Sequence, residues 1–248
     1  MIAALATLLV GGATAVPAGS TQLLLVTTAD WDAPAGTLTR WERAPGRSWR
    51  QVGVAVEVVV GSAGLAWGRG LHPAEKDGRT KREGDRRAPA GVFALGSAWG
   101  YATTADPGVR WPYRPITDRT VCVDDPAAAA YNQIAESPGP WKSAEKMRQS
   151  GQAYRWLLVV EHNVPPHPGA GSCTFLHGLG RKRLPTRGCT AMEQADLRVI
   201  IRWLRPDAHP VLVQAPAAVL RDAAAGWGIP PASSPAPSAA WGRSGGGR

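Results

Sequence analysis

Acidic residues are scarce in this 248-residue chain: 19 Asp and Glu stand against 28 Lys and Arg, giving a net charge of +9 and a pI near 10.1. Such an imbalance suggests polyanionic surroundings: nucleic acid, an anionic membrane surface or an acidic cell wall. No helix-turn-helix, zinc-finger or RNP-like pattern accompanies the basic residues, which are scattered apart from 76–87 and 181–187. Nucleic acid is therefore not an expected partner. No apolar run reaches the 18 or so residues of a membrane span, so none is expected. Neither C-x-x-C nor H-E-x-x-H occurs, which argues against a metal, and a zinc site from Cys173, His177 and Cys189 is set aside. The Gly-rich stretches 64–70 and 84–91 lack G-K-[ST] and G-x-G-x-x-G, so no phosphate loop and no cofactor is expected. Phenylalanine is nearly absent, with 2 Phe against 11 Trp, so much of the aromatic surface keeps a polar edge. With only 3 Cys, at least one thiol cannot pair within the chain.

Glycine and proline are abundant, at 29 and 22 residues, and point to many turns and short strands. Residues 2–10 (IAALATLLV) form a short apolar run, followed by GGATAVPAGS with Ala13 and Ala15 in an A-x-A arrangement. The pattern suggests a secretory leader over 1–18, without the usual preceding Lys or Arg. It implies a secreted or cell-envelope protein, where disulfides persist. A single domain is expected over 19–222, and a disordered Gly/Ala/Ser/Pro tail over 223–248.

Apolar, β-branched runs predict strands at 22–27, 52–60, 90–95, 120–123, 156–161, 173–177 and 211–214. Pro45-Gly46 suggests a hairpin between 38–41 and 48–51. The polar stretch 61–87 reads as a long exposed connection, and 143–148 as a short helix. The sum is a mainly β domain with one clear helix.

That helix follows the third cysteine. Thr190 to Glu193 matches a capping box, with Thr190 as N-cap. Met192, Ala195, Val199, Ile200 and Trp203 follow at helical spacing, and Pro206 stops the run. Cys189 would then sit one residue before the helix, whose positive end favours a thiolate. Gly188 permits an unusual backbone angle, and the N–H groups of Gly188 and Cys189 are candidate oxyanion donors. A cysteine nucleophile needs a base, and His177, at the end of an apolar strand, is the best placed of five histidines. The bland alternative is a structural histidine and a small buried thiol. Cys122 and Cys173 are expected to pair if the chain is exported, the alternative being two buried free thiols. In the Pro-rich loop after residue 161, His162, Asn163 and His167 read most simply as solvated loop polar groups, with Asn163 the better functional candidate. Trp141, Glu145 and Tyr154 read as a substrate groove or, more simply, as packing.

The segments CTFLH (173–177) and TRGC (186–189), joined by a short basic loop, resemble the strand-His, loop, [ST]-x-G-C signature of the L,D-transpeptidase catalytic domain (YkuD-like) family. EGDRRAPAGVFAL (83–95) is similar to that family's G-D…P-x-G strand entry. DPAAAAYN (125–132), WKSAEKM (141–147) and EHN (161–163) look like one branch of it. The resemblance covers roughly residues 51–214. It implies a YkuD-like β-sandwich with one helix after the catalytic cysteine, and a thiol acyl-transferase acting on peptidoglycan stem peptides. Cys189 would be the nucleophile, His177 the base, and the Gly178 carbonyl the holder of the imidazole tautomer. The acyl group would pass to a diamino acid amine or to water. The alternatives are a hydrolase on the same scaffold, an L,D-carboxypeptidase or amidase, or a non-catalytic protein docking on anionic wall polymers. Many members have His where this chain has Arg187. A guanidinium there suits a substrate carboxylate, so Arg187, with Thr186 and Asn163, is expected to bind substrate.

Overall fold

The computed structural model describes residues 14–74, 79–148, 151–180 and 183–231. The protein is mainly β. In chain order the long strands are β1 (Gln22–Thr28), β2 (Ala35–Glu42), β3 (Arg50–Val59) and β5 (Ala88–Gly100), with β4 (Leu65–Trp67) between the last two. Then come β6 (Tyr113–Pro115), β7 (Thr120–Cys122), β8 (Ile134–Glu136), β9 (Glu145–Lys146), β10 (Trp156–Val160), β11 (Phe175–Gly178) and β12 (Thr190–Met192). Helix α1 (Gln194–Trp203), β13 (Val211–Pro216) and α2 (Ala217–Trp227) complete it.

The expected two-layer sandwich is replaced by a closed ring. The order β10-β11-β12-β3-β2-β1-β13-β5 returns to β10 through a direct β5–β10 pairing. The reason lies in β5, which runs on past the predicted 90–95. Its residues 91–94 pair with β13, and its residues 95–100 pair with β10 across a bulge at Leu158/Val160. One long strand thus serves both ends of the ring, and closure removes the exposed edges an open sheet would carry. A separate small sheet, in the order β8-β7-β9, lies outside the ring.

Two cores follow from this layout. The main one holds buried residues from both faces of the ring's strands, Leu23, Val58, Phe93, Leu158 and Val213 among them, with Leu197, Ile200 and Ile201 of α1. Each such side chain contributes roughly 1.5–3 kcal/mol by leaving water. The second gathers Ile116, Met147, Tyr154, Leu157 and Phe175 around a Cys122–Cys173 disulfide whose Cα atoms are 5.9 Å apart.

Several expectations change here. The connection 61–87 is not wholly exposed: it contains the buried strand β4, and Lys81 is only 5% exposed. Residues 145–146 form a strand rather than a helical turn. Of the predicted leader, residues 1–13 lie outside the described residues. Ala15 and Val16 belong to the core, and the Val16 N–H donates to the Trp227 carbonyl at 3.0 Å. Of the predicted tail, 232–248 lies outside the described residues, whereas α2 extends to Trp227, which is buried with Ile229.

The capping box does not form. Thr190 belongs to β12, and its hydroxyl donates to Gln214 Oε1 at 2.7 Å in the interior, so it cannot cap. The helix begins four residues later, with Glu193 as N-cap and no side-chain cap bond. On this helix Leu197, Ile200 and Ile201 face inward, while Val199, read as part of the apolar face, is 50% exposed.

Candidate active site

The site is built on two neighbouring parallel strands. In the β11–β12 register Leu176 lies beside Thr190 and His177 beside Ala191. Cys189, the residue before β12, therefore comes alongside Phe175. Side chains alternate across a strand, so Phe175 and His177 share one face of β11, and Cys189 and Ala191 share one face of β12. Cys189 and His177 both line a cavity of about 800 Å³.

The loop entering Cys189 is held by Thr186. Its hydroxyl donates to the Cys189 carbonyl at 2.6 Å and accepts the Gly188 N–H at 3.1 Å. Its backbone is tied to the end of β3, with its N–H on the Val60 carbonyl and its carbonyl accepting the Ser62 N–H. Thr186 thus positions the cysteine loop, and it also lines the cavity. Gly188 has φ +150°, and a Cβ there would lie 3.2 Å from the Arg87 carbonyl, so this tight entry requires glycine. Its N–H is committed to Thr186, which removes it from the expected pair of oxyanion donors.

Cys189 is half-buried against the second core. Its Sγ lies 3.5 Å from the Cys173 carbonyl, and the Phe175 N–H donates toward the sulfur. Burial pushes the thiol up to about 12, and the charge of Glu145 adds to that shift, while Lys81 opposes it. The helix that was to favour a thiolate starts too far along the chain to act.

His177 donates from Nδ1 to the Gly178 carbonyl at 2.8 Å, so Nε2 is the free base of the neutral ring. Burial lowers its pKa to about 4. The edge-to-face ring of Tyr154 covers it, 5.1 Å between centroids. Cysteine and histidine thus rest as neutral thiol and neutral imidazole. Gly178 is confined as well, since a Cβ there would collide with the Gln194 side chain, which donates to the Gln152 and Ala153 carbonyls.

No family model matches this chain, and no curated protein matches it.

The remaining predicted residues divide sharply. Arg187 is exposed and lines the cavity. Asn163 does not reach it. It is fully buried, donating to the His167 and Gly171 carbonyls and accepting the His167 N–H, so it shapes the Pro-rich loop. His162 is also internal, accepting the Arg69 N–H at Nδ1 and bonding the Ala170 carbonyl through Nε2, and burial lowers its pKa to about 4. Cys173, joined to Cys122, offers no thiolate to a metal. Among the described residues no group of three or more His, Cys, Asp or Glu is arranged to hold one.

One group at the cavity escaped the sequence reading. Lys81 is buried and donates to Asp85 at 2.6 Å and to the Arg82 carbonyl at 2.8 Å. Asp85 also accepts the N–H groups of Arg82 and Arg87, so the G-D pair organises a tight loop that holds this cation against the cavity. The Lys-to-Asp spacing of four was the available signal, lost in a run read as a solvated surface. Of the three residues read as a groove or as packing, Tyr154 and Glu145 line the cavity and are bonded at 2.6 Å, whereas Trp141 is not in its lining.

Proposed function

We propose that this chain is an exported cysteine acyl-transferase of the L,D-transpeptidase type, acting on peptidoglycan stem peptides in the cell envelope. The observation that carries the reading is the placement of Cys189 and His177 on one face of adjacent strands, in one cavity, with His177 Nδ1 tied to the Gly178 carbonyl. That arrangement leaves Nε2 to accept a proton, as a general base must. The Cys122–Cys173 disulfide supports export. The exposed guanidiniums of Arg86 and Arg187 in the cavity lining support a substrate that bears a carboxylate.

Because the pair rests neutral, proton transfer accompanies attack. As the sulfur adds to the carbonyl carbon at the third stem residue, its proton passes to Nε2 of His177. Collapse breaks the C–N bond, and the imidazolium returns that proton to the departing D-amino acid nitrogen. The acyl group remains on Cys189 as a thioester. An acceptor amine then gives a cross-link, while water gives a shortened peptide on the same scaffold.

Incubating the protein with disaccharide-tetrapeptide and weighing the products tests this. A thioester on Cys189, followed by a dimer or a tripeptide, is expected, with neither in Cys189→Ala. Acylation that persists in Cys189→Ala, or that proceeds unimpaired in His177→Gln, overturns it.

A further inference from the structure

Among the described residues three carboxylates line the cavity, and they are not equivalent. Glu83 is engaged by the hydroxyls of Tyr131 and Ser172. Asp124 has a buried oxygen, Oδ1, without a hydrogen-bond partner. Glu145 accepts one bond, from Tyr154 to Oε1 at 2.6 Å, and its Oε2 has no hydrogen-bond partner among the described residues.

Tyr154 connects Glu145 to the reacting pair. Its buried ring packs edge-to-face on His177 while its hydroxyl holds Glu145. Glu145 is close enough to Cys189 for its charge to raise the thiol's pKa. Asp124 and Arg187 line the same cavity and act on it electrostatically. Burial raises the pKa of Glu145, with Asp124 adding to the shift and Tyr154 and Arg187 opposing it, so the carboxylate is a stronger base than a solvated one.

The chemistry of transfer asks for such a group. Attack by water needs only the proton handling that His177 already performs. An amine acceptor arrives as an ammonium and must lose two protons to become an amide nitrogen. His177, with its pKa near 4, is a weak acceptor for the first of them. We propose that Glu145, held by Tyr154, is the catalytic base that takes the first proton from the acceptor's ammonium, so that the cavity favours an amine over water. This rests on the acyl-transfer reading above.

The step balances. Glu145 accepts one proton and the nitrogen lone pair is freed. The nitrogen adds to the thioester carbon and its second proton passes to His177. The C–S bond breaks, His177 returns that proton to the sulfur, and Glu145 releases its own to solvent.

The test uses the full chain with the acyl group already on Cys189, offered glycine or hydroxylamine. Glycine's amine is protonated at neutral pH, whereas hydroxylamine's is largely free. In Glu145→Gln the aminolysis-to-hydrolysis ratio should fall about a hundredfold with glycine and by no more than a few fold with hydroxylamine. Tyr154→Phe should show the same selectivity to a smaller degree. If Glu145→Gln does not fold, Glu145→Asp and Tyr154→Phe carry the same comparison. Equal losses with both amines, or no loss with either, overturn the role of Glu145 while leaving the acyl-transfer reading intact. Failure of the wild type to acylate Cys189 overturns both.

Discussion

At the scale of single residues, the proton on Cys189 decides how the site works. Burial disfavours the charged form of both partners, and among the described residues no positive charge reverses this at the sulfur. Lys81, a cation acting on it, is already paired with Asp85. A thiolate–imidazolium pair would show as a reactivity plateau at acid pH. Here the folded pKa of Cys189 lies above the free-thiol value and that of His177 below its own, so the thiolate fraction keeps rising through neutral and mildly alkaline pH. The rate of iodoacetamide alkylation at Cys189 should therefore climb about tenfold per pH unit up to at least about pH 9, following the thiolate fraction. A plateau between about pH 5 and 8 in that profile would show an ion pair instead.

At the scale of elements, the C-terminal helix is the clearest case of tertiary context overriding composition. The sequence AAVLRDAAAGW is alanine-rich, and alanine is the strongest helix former, but a short helix in isolation is marginal. Contacts across the molecule stabilise it. The Trp227 ring lies against Trp67 and His72, at 6.1 and 5.7 Å between centroids, and its carbonyl accepts the Val16 N–H. Gly228, with φ +68°, closes the helix in the left-handed conformation, and its carbonyl accepts the Trp49 indole N–H at 2.9 Å. Trp227→Ala should cost about 3–5 kcal/mol in urea denaturation. A loss below about 1 kcal/mol would mean that the helix is not part of the cooperative core.

At the scale of the whole molecule, the disulfide ties the small outer sheet to the barrel. Cys122 ends β7, and Cys173 precedes β11 by two residues. Through β7 the bridge also anchors β9, the strand that carries Glu145. Cross-linking positions 51 residues apart restricts the unfolded chain, an effect worth roughly 2–4 kcal/mol. In denaturant, alkylation before reduction should label one cysteine per chain, and after reduction three. The reduced protein should unfold at lower temperature and lose acylation before the barrel melts. Three labels before reduction would exclude the bridge.

Much of the local structure was legible from pattern alone. The runs at 22–28, 50–59, 120–122, 156–160 and 211–216 are strands close to where β-branched and apolar residues cluster, because a half-buried pleated strand selects those side chains. His177 and Cys189 stood out as a polar side chain ending an apolar strand and a cysteine after glycine. What the sequence did not disclose depends on partners far along the chain. Thr190 looks like a helix cap until Gln214, 24 residues on, takes its hydroxyl. Asn163 looks like a loop polar group until the backbone it organises closes around it. The ring closes because β5 keeps pairing through Gly96 and Gly100, where composition signals a turn. Lys81, Tyr154 and Glu145 meet Cys189 only once three separate segments converge on one cavity. Sequence pattern records propensity and polarity over a few residues. Burial and hydrogen-bond partners are set by contacts across the whole chain, and they decide which groups carry protons and which merely hold the backbone in place.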